Sequence, residues 1–426
     1  MDVKKEVSMN SKLRKYLTVI ALGLAGGSIY FLPYVKFVFY DAQIASMGIN
    51  NTQSGILMTM YTVANMILYI PGGILADKIS AKKALVVSLG LTSVLAYIYA
   101  FTMKSFAVSM MIWLALSLTT AFVFWSSLMK AVRIIGTEEE QGFMYGLYYA
   151  CNGITNALTN AFALKFFNTA GGDLQEGFFR AVLSGGSIAI VAGILLMVLM
   201  KDNKAAKGST AAAAVDEDKF KFSDVGKILR SPIVWIASFV IFCGDGIYTS
   251  VSYFNPYLTE VIGVAPSDSS LISVIRNGLM LLAPVGGLLA DKVFKSTCKW
   301  LTTSFLIVGA LFASVLFIPA SINPTAASVY TLIPSAVAMM LYGVVFSVMS
   351  EAGIPRMLTG TAIGIASIIG YVPDSLYSLI FGGFLDKFGG HGYNYIFIFL
   401  IVSCVIGATF AVIVRRMGLK AAKQNK

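Results

Sequence analysis

The chain has 426 residues, of which 57% are hydrophobic and only 12% charged, against about 25% charged in a soluble domain. That much apolar surface excludes a water-soluble enzyme or nucleic-acid-binding domain as the first reading of the +11 net charge. Four cysteines with no CxxC spacing and a single histidine, His391, exclude a metal cluster, a disulfide framework and a histidine-based catalytic centre.

The N-terminus, "MDVKKEVSMNSKLRKY", is polar and basic. The apolar run after it outlasts a signal peptide and has no cleavage pattern, so it reads as a retained first membrane helix. Twelve apolar runs are long enough to cross a bilayer. They lie near 16–40, 52–76, 83–103, 106–130, 141–167 and 180–200, then 232–258, 268–290, 300–319, 326–350, 360–385 and 394–414. Between the sixth and seventh lies "KDNKAAKGSTAAAAVDEDKFKFSDVGKILR", a charged, alanine-bearing linker whose end has the make-up of a short interfacial helix. The predicted fold is an all-α polytopic membrane protein of twelve transmembrane helices. It has an N-terminal bundle over 1–200, a cytoplasmic linker over 201–230 and a C-terminal bundle over 231–426.

Charge placement orients the spans. With both termini cytoplasmic, all but six of the 32 Lys and Arg residues fall in the tails or in the loops on that side. Lys104, Lys165, Arg180 and Lys387 fall on the opposite side, and Lys36 and Arg276 fall inside spans. The net charge is therefore topology, and no nucleic-acid partner is expected.

The two halves repeat. "PGGILADKISAKK" at 71–83 returns as "VGGLLADKVFKSTCK" at 285–299, placing Asp77 and Asp291 214 positions apart. "GGSIY" at 26–30 returns as "GDGIY" at 244–248, and Gly142 and Gly146 return as Gly360 and Gly364. Small residues four apart let membrane helices approach closely, and six plus six spans in a parallel repeat is a transporter layout.

These residues resemble the signature of the major facilitator superfamily, a glycine, then an aspartate followed by basic residues, in the loop after span 2. Here it reads Gly73, Asp77, Lys78, Lys82 and Lys83, with Ser80 where the family has glycine. The second copy, Gly287, Asp291, Lys292, Lys295 and Lys299, is weaker. "IYFLPYVKFVFY", "GTEEEQGFMYGLYYACNG" and "GYVPDSLYSLIFGGFLDK" are similar to a bacterial subgroup near sugar-phosphate-type permeases. The resemblance implies two bundles that rock about a central site. It also implies a gate in which Asp77 accepts hydrogen bonds from the start of span 11, near Gly360. Lys78 belongs to that gate, Arg133 is its expected ion partner, and Asp291 and Lys292 form the second-half equivalent. Glu351 stands where the repeat places the counterpart of Arg133, and Arg356 is the nearest basic alternative. Against the gating role stands a simpler one, in which the lysines only mark the cytoplasmic side.

A charge within a span costs at least about 2.5 kcal/mol, so each asks for a reason. Lys36 and Arg276 fall in opposite halves, and an anionic substrate group held by both is the economical reason. The competing one is that Lys36 snorkels and Arg276 pairs with Asp245 or Asp374. Those two carboxylates are the candidates for proton coupling, although Asp374, after Pro373, also has a place as the cap of a broken helix. Tyr30, Tyr248, Trp125, Asn152 and Tyr371 are candidate substrate contacts, with packing as their alternative. The expected function is secondary active transport of a small organic anion across the cytoplasmic membrane, by symport or antiport. A proton-coupled carrier of a neutral sugar and a non-transporting receptor are the alternatives. No enzyme, cofactor or metal is expected, and the working unit is expected to be a monomer in the bilayer.

Overall fold

The computed structural model describes residues 2–135, 141–200, 230–352, 366 and 368–424. Its regular elements among these residues are all helical. The first half runs α1 (Asp2–Ile29), α2 (Tyr40–Met47), α3 (Asn51–Lys78), α4 (Ala81–Thr102), α5 (Phe106–Ser117), α6 (Phe124–Ile135), α7 (Gln141–Asn168) and α8 (Leu174–Leu199). The second half runs α9 (Pro232–Ser250), α10 (Phe254–Glu260), α11 (Pro266–Gly278), α12 (Ala283–Leu288), α13 (Thr297–Val315), α14 (Pro324–Tyr342), α15 (Val348–Glu351), α16 (Val372–Phe388) and α17 (Gly392–Gln424).

Helix starts follow the local chemistry. Asp173 caps α8 by accepting from Gln175 and Glu176, and Asn323 caps α14 by accepting from Thr325 and Ala326. In each case a side-chain oxygen satisfies amides that have no intrahelical partner. Pro232, Pro266 and Pro324 each open a helix, where a missing N–H costs nothing. Ser80, the residue that departs from the family's glycine, accepts from the Lys83 amide and caps α4. Ser296 does the same for α13 through Lys299. The second loop has two more residues between its aspartate and its serine. A π-helical stretch at Leu289–Val293 and a left-handed Lys295, φ 51°, lie in that longer path.

Several expected spans are interrupted helices. The first ends at Ile29 and continues through a 3-10 turn, Val35–Phe37, into α2. The fourth is α5, a π stretch at Leu118–Phe122 and α6. The seventh is α9, a 3-10 turn at Val251–Tyr253 and α10. Eight helical stretches among the described residues are long and apolar enough to cross a membrane; the last, Ile368–Lys420, takes in both α16 and α17. Helices α1, α3 and α7 are outside that group; Asn65 lies within α3, and Asn152, Asn156 and Asn160 within α7.

The chain divides into two compact units. One holds Met1–Ile49 and Met60–Ala212, the other Asn50–Thr59 and Ala213–Lys426. In the first, α1 packs on α7 and α8, and α4 packs on α8. Gly23, Gly26 and Gly27 make the α1–α7 approach possible, since a Cβ on Gly27 would meet the Asn152 carbonyl oxygen at 2.5 Å. In the second, α13 packs on α17, and α9 packs on α17 and α16. There a Cβ on Gly246 would meet the Tyr377 ring at 2.3 Å.

Candidate functional site

In the second unit, Asp245 lies towards the C-terminal end of α9 and is 1% exposed. Its flanking glycines do not open it to solvent. They admit neighbours instead, Val345 against Gly244 and Tyr377 against Gly246. One carboxylate oxygen takes a hydrogen bond from the Tyr342 hydroxyl, while Oδ2 has no hydrogen-bond partner among the described residues. Asp374, in the first turn of α16, is near enough to interact electrostatically with Asp245. Tyr248, one turn after Asp245, stacks on Tyr342 with ring centroids 4.0 Å apart and planes 8° from parallel. The second unit thus brings together Asp245, Asp374 and Tyr248, and adds Tyr342. Tyr342 is the residue that sequence reasoning missed; no repeat or charge marked it in the apolar run of span 10. Tyr371 precedes α16 and packs on Phe346 at 6.0 Å.

Arg276, near the end of α11, is 2% exposed and sits in a separate polar knot. Its guanidinium donates to the Val251 carbonyl and to Ser273 Oγ. Ser273 Oγ also accepts from Asn255 Nδ2 at 2.9 Å, and Ser269 Oγ donates to the Asn255 carbonyl at 2.9 Å. The knot lies where α9 gives way to α10, so one role of Arg276 is to satisfy backbone freed by that interruption. The expected pairing with Asp245 or Asp374 is not made, and among the described residues no carboxylate pairs with this guanidinium.

In the first unit, Lys36 lies in the 3-10 turn beyond α1, buried to 4% exposure, with Nζ 5.8 Å from the Phe37 ring centroid. Tyr34 links its neighbours, 6.3 Å from Tyr30 and 5.8 Å from Tyr61. Tyr61 exchanges a 2.8 Å hydrogen bond with Thr120 in the π stretch of span 4. Asn152 donates to the Tyr148 hydroxyl at 3.1 Å. Trp125 packs against the apolar core of this unit and is half-buried. Tyr61, Tyr69 and Tyr148 are each near enough to Tyr30 to interact with it electrostatically. The unit therefore collects a group of tyrosine hydroxyls, with Tyr61 an unanticipated member.

The expected gate is only partly described. Lys78 is exposed in the last turn of α3, and Asp291 and Lys292 are exposed in the π stretch before α13. The side chains of Asp77 and Arg133 lie outside the described residues, as do Arg356, Gly360 and Gly364. Two other charged side chains meet helix ends. Lys130 Nζ donates to the Ala76 carbonyl at 3.0 Å, placing a cation at the carbonyl end of α3. Glu351 accepts from Ser296 Oγ at 2.8 Å and from the Thr297 amide, placing an anion at the amide end of α13. Each charge sits where the helix dipole favours it.

Known proteins share this architecture. An inner membrane protein, YqcE, of Escherichia coli is 27% identical over 88% of this chain and 89% of its own. The glycerol-3-phosphate transporter of Bacillus subtilis is 22% identical over 99% of this chain and 96% of its own. The crystal structure of a bacterial homologue of the human lysosomal transporter Spinster, inward-facing and unoccupied, superposes with a TM-score of 0.73 at 16% identity. That match covers 96% of this chain and 98% of the other. Residues 16–378 match the profile of the Major Facilitator Superfamily, and with the helical architecture and the repeated signature they establish that this chain belongs to it.

Proposed function

We propose that this protein is a secondary active transporter of a small organic anion in the inner membrane. One observation carries the anionic class: Arg276 is a buried cation with no carboxylate partner among the described residues. A guanidinium has five donors in a planar fork, and two of its contacts here are to neutral groups. A phosphate, sulfonate or carboxylate supplies the charge that the protein withholds. Lys36 is the corresponding cation of the first unit, and the tyrosines and Asn152 suit the hydroxyls of the remainder of the substrate. Asp245, with Asp374 beside it, is the proposed proton-coupling group. Two relatives agree with this reading, one an inner membrane protein and one a glycerol-3-phosphate transporter.

A thermal-stabilisation screen tests the anion. Purified parent protein and Arg276→Gln are melted with glycerol 3-phosphate, sugar phosphates, sulfonates, carboxylates and neutral sugars. An anion should raise the melting temperature of the parent and leave that of Arg276→Gln unmoved. Stabilisation of both proteins by a neutral sugar, with no response to anions, replaces this reading with neutral-sugar transport. Counterflow of the stabilising compound into proteoliposomes then separates a transporter from a receptor that binds without flux.

A further inference from the structure

Asn65 sits in the apolar middle of α3, within the first unit. It is 7% exposed, and its Oδ1 is enclosed with no hydrogen-bond partner among the described residues. Burying an amide oxygen without a partner is costly, so the place asks for a reason. The residue does not face outward. Val63 and Ile67 form the exposed side of the helix here, two positions before and after Asn65 and so nearly opposite it.

Helical spacing puts Tyr61, Asn65 and Tyr69 on one stripe, at i, i+4 and i+8. Tyr61 and Tyr69 are each near enough to Tyr30 to interact with it electrostatically. Asn65, between them, faces the same place. Span 4 backs the stripe on either side of it. Ser117 Oγ donates to the Tyr61 carbonyl at 3.1 Å, and the Tyr61 hydroxyl meets Thr120. Further along, Gly72 lies so close to Phe122 that a Cβ would overlap the Phe122 carbonyl. Thr120 and Phe122 belong to the π stretch, a kind of widening that recurs at functional sites. Asn65 is thus held between two fixed points of contact, beside a group of tyrosines, with its acceptor unused.

We propose that Asn65 is a specificity-determining residue that binds hydroxyl groups of the substrate. This rests on the transport reading above and extends it to the uncharged part of the substrate. A primary amide offers an acceptor and a donor side by side. Two adjacent hydroxyls match it, one donating to Oδ1 and the other accepting from Nδ2. The tyrosine rings offer apolar faces to the carbon skeleton. The substrate class is therefore an organic anion that carries a vicinal diol. An analogue without the hydroxyls is rejected, because it leaves the buried amide unpaired again.

Melting without ligand is the first test. Asn65→Leu replaces the unpaired amide with an apolar group of similar shape, so the purified variant should melt at or above the temperature of the parent. Asn65→Ala, which cannot overpack the site, guards against a clash. Lower melting of both variants means that the amide holds the fold together, and overturns the assignment. Thermal-shift titration then compares glycerol 3-phosphate with propyl phosphate, which keeps the anion and lacks both hydroxyls. The parent should bind glycerol 3-phosphate about tenfold more tightly or better, and the variant that melts like the parent should bind the two alike. Equal binding by the parent, or a preference that survives in the variant, overturns the assignment. A parent that responds to neither compound defeats the anionic substrate class instead, and the ligand-free melt then decides for or against Asn65.

Discussion

At the scale of single residues, the buried charges behave differently from one another. Arg276 spends two of its contacts on an interrupted helix, so it serves the fold even before any substrate arrives. Asp245 has no comparable structural duty: one oxygen meets Tyr342, and the other has no hydrogen-bond partner among the described residues. Among the described residues no cation pairs with it, and an unpaired charge is costly to bury. Asp245→Asn keeps an oxygen to accept from Tyr342 but cannot take up or give back a proton. It should preserve exchange of the stabilising anion across proteoliposome membranes and abolish accumulation driven by a pH gradient. Uptake measured with and without the gradient on the same preparation checks this, and gradient-driven accumulation by the variant would remove Asp245 from coupling. The charges themselves were legible in the sequence, because an ionised residue in an apolar run stands out. Their partners were not. Tyr342 sits almost a hundred positions from Asp245, and only folding makes them neighbours.

At the scale of elements, glycines decide how closely helices approach. Gly286 in α12 lies against α14, where a Cβ would meet the Met340 carbonyl oxygen at 2.0 Å. Backbone cannot yield as a flexible side chain can, so Gly286→Ala should cost on the order of 1–3 kcal/mol. Gly90, in the middle of α4, has open space around it, and Gly90→Ala should stabilise by about 0.5–1 kcal/mol through helix propensity alone. Melting temperatures of the two purified variants should therefore move in opposite directions. Hydrophobic run length made the helical spans legible. The interruptions at Val251–Tyr253 and Leu118–Phe122 were not, because neither contains a proline or a glycine to announce a break. They are set by tertiary partners, such as Arg276 at the Val251 carbonyl.

At the scale of the whole molecule, the distribution of basic residues makes a directional claim. Lys83 and Lys299 are exposed at the starts of α4 and α13, while Lys104 is exposed in the turn after α4 and Lys387 in the last turn of α16, places that the charge rule assigns to the other side. Cysteines placed singly at Lys104 and Lys387 should react with an impermeant maleimide on intact cells. Those at Lys83 and Lys299 should react only after permeabilisation. Reversal of both pairs would invert the topology. The half-chain repeat was legible because its phrases survive nearly verbatim. The division of α3 between units was not, since nothing along a continuous helix marks which neighbours each of its turns keeps.

The repeat also bears on how the two halves can diverge. Gly27 and Asp245 occupy equivalent places, yet only one has room for a side chain. At Gly27 a Cβ would meet the Asn152 carbonyl at 2.5 Å, the Thr155 side chain at 2.7 Å and the Asn156 amide at 2.8 Å. Any descendant of a duplicated ancestor that kept this tight helix crossing in its first half was barred from acquiring an ionisable group there. Innovation at this position was open only to the second copy. The asymmetry is local to this position, since the second half has tight crossings of its own, as at Gly246 against Tyr377.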